Sequence, residues 1–216
     1  MKMKIREVSS NLIESISSCI EKYGFKLNRK SNSFKRSFEE KEQIFDFVFI
    51  KERDYIKIKP EVIIKIKAIE NIYKEVSNRG DIYRTLGNDL FEILRYIDKK
   101  EETGKGEQYY WIVREQKNID DLVRVIPEYF EETVLPYFDA NSSIERVDTL
   151  LNKYPRELSI HNWLYPLRAN LAIIAAKLNK NKQYDDLVNI YKEELEEAEE
   201  TFKQEFNMLI NSVLVE

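Results

Sequence analysis

His161 is the only imidazole in the 216 residues, and it stands in Ser159-Ile160-His161-Asn162-Trp163 with Tyr165 just beyond. Such a residue offers acid-base chemistry near neutral pH, and Trp163 and Tyr165 would wall a candidate pocket around it. A catalytic His also needs a nucleophile and an orienting group, which spacing alone does not reveal. A lone His ahead of a helix is more often a capping or packing residue. Cys19, the only Cys, falls on an apolar helical stripe, where a buried structural thiol is expected rather than a nucleophile. One Cys and one His cannot assemble a four-ligand zinc site. Asp185 and Asp186 lack the alternating acidic loop of an EF-hand, and Gly104-Lys105-Gly106 lacks the spacing and the Ser/Thr of a P-loop. The expectation is a chain with no catalytic residue, no metal and no cofactor, and therefore not an enzyme.

A second group of residues suggests binding. Tyr55, Lys57, Lys59, Lys65 and Lys67 alternate with Ile56, Ile58, Ile64 and Ile66, so one strand face is basic with an aromatic at its end. Basic sheet faces with aromatics hold single-stranded RNA by stacking and phosphate contact, but no RNP-like motif accompanies this one. Lysines on an edge strand also serve simply to discourage aggregation. The Glu193, Glu194, Glu196, Glu197, Glu199 and Glu200 run reads as the solvated face of a helix.

The elements that must position these residues follow from periodicity. Ile5, Val8, Leu12, Ile16, Ile20 and Tyr23 take helical spacing, with Gly24 as a stop. Phe25 and Leu27, then Phe34, Arg36 and Phe38, alternate about a turn at Asn28 to Asn32. Phe45, Phe47 and Phe49 point one way and Ile44, Val48 and Ile50 the other, the mark of a central strand covered on both faces. Pro60 interrupts the next apolar face, favouring an edge position, a bulge or a split. Ile69, Ile72, Tyr73 and Val76 return to helical spacing toward Gly80, and Asn88 or Asp89 caps a helix through Leu90, Ile93, Leu94 and Ile97. Lys99 to Glu107 reads as a flexible loop, and Tyr109 to Val113 as a short strand. Asn118 is the expected cap of a helix through Phe138, kinked or segmented by Pro127 and Pro136. Ser142 or Ser143 starts another. Leu164 to Leu178 forms a helix that turns at Asn179 to Asn181 into a last one from Gln183 to Leu214. If continuous, that helix extends roughly 48 Å at about 1.5 Å per residue.

The fold class is α+β: a small antiparallel sheet near the N-terminus packed by helices, then a helical part ending in a long helical hairpin. The expected division is residues 1–115, containing the sheet, and residues 116–216, helical. With 43% hydrophobic and 12% aromatic residues the chain can bury a core. It has neither a signal-peptide pattern nor an apolar run fit to span a membrane, so a soluble, cytoplasmic protein is expected. Residues 1–67 hold 16 Lys and Arg against 10 Asp and Glu, and the remainder 19 against 29, so the net charge of -4 conceals a basic first part and an acidic second part.

The stretch Tyr23-Gly24-Phe25, Phe34-Lys35-Arg36-Ser37-Phe38 and the Phe45, Phe47, Phe49 strand resembles bacterial α+β domains among the immunity proteins of polymorphic toxin systems. Ala172-Ile173-Ile174-Ala175-Ala176-Lys177-Leu178 and Tyr184-Asp185-Asp186-Leu187 are similar to their closing helices. The resemblance implies a cytoplasmic, non-enzymatic protein that occludes a partner, and it transfers no functional residue. The expected function is a protein-binding module, with toxin neutralisation as its particular form and a basic protein as its partner. Nucleic-acid binding through the lysine face and a hydrolase centred near His161 are the alternatives.

Overall fold

The computed structural model describes residues 4–77, 82–98 and 110–211. The Lys99 to Glu107 loop, Gly80, Tyr109 and the chain beyond Asn211 lie outside these. The chain falls into two compact units, residues 1–63 with 88–139, and residues 64–87 with 140–216.

The first unit opens on helix α1 (Ile5–Glu21), whose Val8, Leu12, Ile16 and Ile20 are buried as the spacing predicts. It ends because Gly24 takes φ +85, a left-handed conformation that costs an L side chain energy. A Cβ there would meet Arg36 Cδ at an ordinary 3.7 Å, so conformation rather than space selects the glycine. Cys19 is half-buried, not enclosed, because it sits at the shoulder of the stripe.

Strands β1 (Lys26–Asn28), β2 (Ser33–Phe38), β3 (Lys41–Lys51) and β4 (Ile56–Ile66) follow as antiparallel hairpins, with Leu27 opposite Phe34 and Phe34 opposite Phe45. Asn28 Oδ1 accepts from the Lys30 amide at 3.0 Å and organises the first turn. The sheet order is β1-β2-β3-β4-β5, with β5 (Leu86–Asp89) and β6 (Trp111–Val113), which also pairs β4. β3 is interior, as its pattern predicts. Phe45 and Phe47 are buried, whereas Phe49 is half-buried. The opposite face is not covered as expected: Ile44 and Val48 are half-buried and Ile50 is 39% exposed.

β4 corrects the reading of Pro60. The strand is neither split nor at the edge; it runs unbroken with neighbours on both sides. Pro60 lies just past Ile56–Ile58, the residues that pair with β6, so its missing amide falls outside that ladder.

Helix α3 (Leu90–Asp98) is capped by Asp89, whose Oδ1 accepts from the Phe91 and Glu92 amides at 3.0 Å each. Helix α4 (Gln116–Tyr129) is capped by Glu115, and Asn118 acts from inside the first turn, accepting from the Glu115 amide in a capping box. The two prolines segment the helix as expected: a π-turn at Phe130–Val134 separates α4 from α5 (Leu135–Asn141). The π-turn delivers Phe130 to the centre of an aromatic core, 5.2 Å from Phe25 and 5.6 Å from Phe45.

The second unit comprises α2 (Lys67–Val76), α6 (Ile144–Asn152), α7 (Tyr165–Leu178), α8 (Tyr184–Glu194) and α9 (Glu200–Asn211). Ser143 caps α6 by accepting from the Arg146 amide. Residues Arg168 to Ala176 of α7 are all buried, and α2, α6, α8 and α9 pack around it. A helix enclosed on every side is mostly apolar all round, here with Arg168 and Asn170 as the hydrogen-bonded polar members, and Ala169, Ala172, Ala175 and Ala176 let its neighbours approach closely. Asp148 closes the α7–α8 turn by accepting from the side-chain amides of Asn179 and Asn181 at 2.7 and 3.0 Å.

The last helix is not continuous. It stops at Glu194 and resumes at Glu200, which overturns the 48 Å extension. The Glu run is therefore not one helix face but the end of α8, the break and the start of α9. A single helix would place Glu193 against Glu196 and Glu197, and Glu196 against Glu199 and Glu200, like charges at three- and four-residue spacing. Leu195 in the break and Phe206 on α9 are both buried.

The charge separation along the chain does not survive folding into units. Counted by unit, the first carries 21 Lys and Arg against 23 Asp and Glu and the second 14 against 16, a net of -2 each.

Candidate functional site

His161, Trp163 and Tyr165 differ sharply in burial. His161 is 3% exposed, its carbonyl accepts from the Gly87 amide at 2.8 Å, and burial, with Arg146 adding to it, pushes its pKa down to about 4. It is neutral at pH 7 and far from the basicity suited to general-base work there. Trp163 is 62% exposed. Tyr165 is half-buried; its hydroxyl donates to the Pro155 carbonyl at 2.5 Å, and burial raises its pKa.

His161 and Trp163 belong to a loop, residues 153–164, between α6 and α7. Arg168 organises it from the first turns of α7. Its guanidinium is buried, stacks over the Tyr165 ring at 5.0 Å, and donates to the carbonyls of Tyr154 at 2.9 Å, Pro155 at 3.1 Å and Glu157. The Arg168 amide also donates to the Leu164 carbonyl at 2.9 Å, so both ends of the loop converge on one residue. Ser159 and Asn162 form a bridge in between. Held in this way, the loop turns Tyr154, Leu158, Trp163 and Leu164 outward, at 56%, 78%, 62% and 40% exposure.

Arg156, from the same loop, reaches Glu193 and Glu194 at 2.6 Å each and fixes the loop to the end of α8. The next residues, Leu195 and Glu196, line a cleft of about 250 Å³ with Lys192, Lys203, Phe206 and Asn207.

The five residues of the lysine face divide between the units. In the first, Lys57 pairs with Glu52 at 2.7 Å and lies 4.9 Å from the Tyr110 ring, while Arg114 lies 5.1 Å from the Tyr55 ring. Lys59 is half-buried and acts on Asp89, whose carboxyl burial pushes up in pKa. In the second, Lys65 donates to the Ile82 carbonyl at 2.9 Å, and Lys67 is the first residue of α2. Tyr110 and Arg114, which flank β6, thus join this face, and alternation on β4 alone does not reveal them.

Arg168 and Leu158 were also not singled out by sequence. A signal for Arg168 existed: it is the only charge in Leu164 to Ala176. Leu158 gave none, since exposure in a loop leaves no periodicity.

Among the described residues no group of three or more His, Cys, Asp or Glu is placed to hold a metal ion, and no helix is long and apolar enough to cross a membrane. Compared with known proteins, the chain matches no family model, no curated protein and no solved structure.

Proposed function

We propose that the protein is a non-catalytic protein-binding module that acts by occluding its partner, in the manner of a bacterial immunity protein that neutralises a toxin in the cytoplasm. The observation that carries this reading is the outward display of Leu158 and Trp163 on a loop whose backbone Arg168 holds from within. Large apolar side chains grouped in this way mark surfaces that another protein covers. The depressed basicity of buried His161 speaks against the hydrolase alternative.

The test is co-purification of the full chain with proteins of the source cell, identification of the retained protein, and titration of that protein's activity with the chain. The expected result is a stoichiometric complex in which the activity is lost. Saturable turnover of a small molecule that disappears in His161→Ala would defeat the reading.

A second reading, single-stranded nucleic acid on the β4–β6 face, is favoured by Tyr110 and Arg114 joining Tyr55 and Lys57. Anisotropy of a labelled RNA oligonucleotide tests it, and salt-sensitive binding that is lost in Arg114→Ala would support it.

A further inference from the structure

Both ends of the 153–164 loop meet at Arg168, which brings Tyr154 and Leu164 to the same anchor. Leu158 directly follows Glu157, whose carbonyl Arg168 also holds, and Trp163 directly precedes Leu164. The four exposed apolar side chains therefore rise from one clamped base rather than from a slack segment. Tyr and Trp are the residue types that dominate interface energetics, and a preformed surface loses little freedom on binding.

Charge at the edge of this surface selects its occupant. Arg156 ties the loop to Glu193 and Glu194, where the Glu-rich segment begins, and Glu196 and Glu197 beyond them are exposed. An anionic lipid surface would suit Trp and Tyr but would be repelled by these carboxylates. A protein with Lys or Arg around an apolar centre satisfies both features.

We propose that Tyr154, Leu158, Trp163 and Leu164, edged by the carboxylates of Glu196 and Glu197, form the docking surface for a basic protein. The partner covers the apolar side chains with its own and sets cations against the carboxylates. This deepens the protein-binding reading and rests on it.

The experiment selects a displayed library of random peptides on the intact full chain, with counter-selection on the Leu158→Asp/Trp163→Asp double variant. Both side chains are exposed, so the double variant folds, which its melting temperature verifies. The expected result is enriched peptides of net positive charge with aromatic or aliphatic residues between the cations. Their affinity falls about tenfold or more in Leu158→Asp or Trp163→Asp, and falls again in the Glu196→Lys/Glu197→Lys variant. Acidic peptides, or no enrichment over the double variant, overturn the proposal. Basic peptides recovered from a parallel selection without the counter-selection, whose binding falls in Tyr55→Ala but ignores the loop substitutions, overturn this surface while leaving the protein-binding function standing. Binding to phosphatidylserine vesicles that is lost in Trp163→Asp overturns it in favour of a lipid surface.

Discussion

Tyr73 donates its phenolic hydrogen to the Glu205 carboxylate at 2.7 Å, so α2 and α9 share a buried hydrogen bond across 132 positions of chain. Ser77 and Asn170 donate to the same carboxylate at 2.8 and 3.3 Å. Three elements, α2, α7 and α9, are thereby registered on one side chain. Removing the phenol in Tyr73→Phe withdraws one donor from a buried carboxylate at almost no change in shape. We expect a loss of about 1 to 3 kcal/mol in urea unfolding, and an unchanged midpoint would show that the network does not bear on stability.

The same environment fixes a response to alkali. Burial raises the pKa of Tyr73 and of Tyr191 from 10.0 to about 12. The unfolded chain then loses these protons before the folded one. The stability they contribute is whole below pH 10 and is lost as pH rises toward 12. Unfolding monitored by circular dichroism should show this decline, and Tyr73→Phe should flatten it.

His161 responds in the opposite direction. Its pKa is lowered from 6.5 to about 4, so the unfolded state takes up the proton first and the contribution is complete above 6.5 and lost as pH falls toward 4. A shift of this size corresponds to roughly 3 kcal/mol. With only one His, the imidazole proton resonance needs no assignment, and its titration midpoint should lie near 4 rather than 6.5. A midpoint near 6.5 would place His161 in water.

Much of this fold is legible residue by residue. The stripe of α1, the turn at Asn28, the Asp89 and Ser143 caps and the proline-segmented helix follow from local chemistry, which sequence records directly. The failures share a different cause. Pro60 reads as a strand breaker because sequence does not show that its amide falls outside the β6 ladder. The Glu run reads as a solvated face because helical spacing holds across Leu195, although the like charges at three- and four-residue spacing argue for the break. The two units interleave, so a charge balance taken along the chain averages over residues that fold apart.

The aromatic core should rank its members by enclosure. Phe47 is 2% exposed and meets Phe45 edge-on at 4.6 Å, whereas Phe49 on the same strand is half-buried. Phe47→Ala is expected to cost about 3 to 5 kcal/mol through lost transfer energy and a residual cavity. Phe49→Ala should cost distinctly less. Equal losses would mean that burial does not set the scale here.

The loop and its anchor should respond oppositely to substitution. Arg168→Met keeps an unbranched apolar stem but leaves the carbonyls of Tyr154, Pro155 and Glu157 without their buried donor. At about 1 to 3 kcal/mol for each abandoned group, the loss should reach at least about 3 kcal/mol. Limited proteolysis should then cut within residues 153–164. Leu158→Asp, by contrast, alters a side chain that is 78% exposed and should change stability by less than about 0.5 kcal/mol. Were Leu158→Asp as damaging as Arg168→Met, Leu158 would be serving the fold rather than facing a partner.

The carboxylates at the edge of the loop set the expected kinetics of association. Each unit carries a net of -2, so no long-range field separates them, and attraction for a cationic partner must come from the local Glu193–Glu200 segment. Screening shortens from about 14 to about 4 Å between roughly 50 and 500 mM salt, which spans the distance over which such a segment acts. Charges at the rim of an interface act mainly on the rate of encounter, while the apolar centre governs dissociation. Stopped-flow mixing with the identified partner should therefore show an association rate that falls with salt and a dissociation rate that scarcely moves. Glu196→Lys/Glu197→Lys should lower the association rate and weaken its salt dependence, and Leu158→Asp should instead speed dissociation. An association rate indifferent to salt would remove the carboxylates from the mechanism.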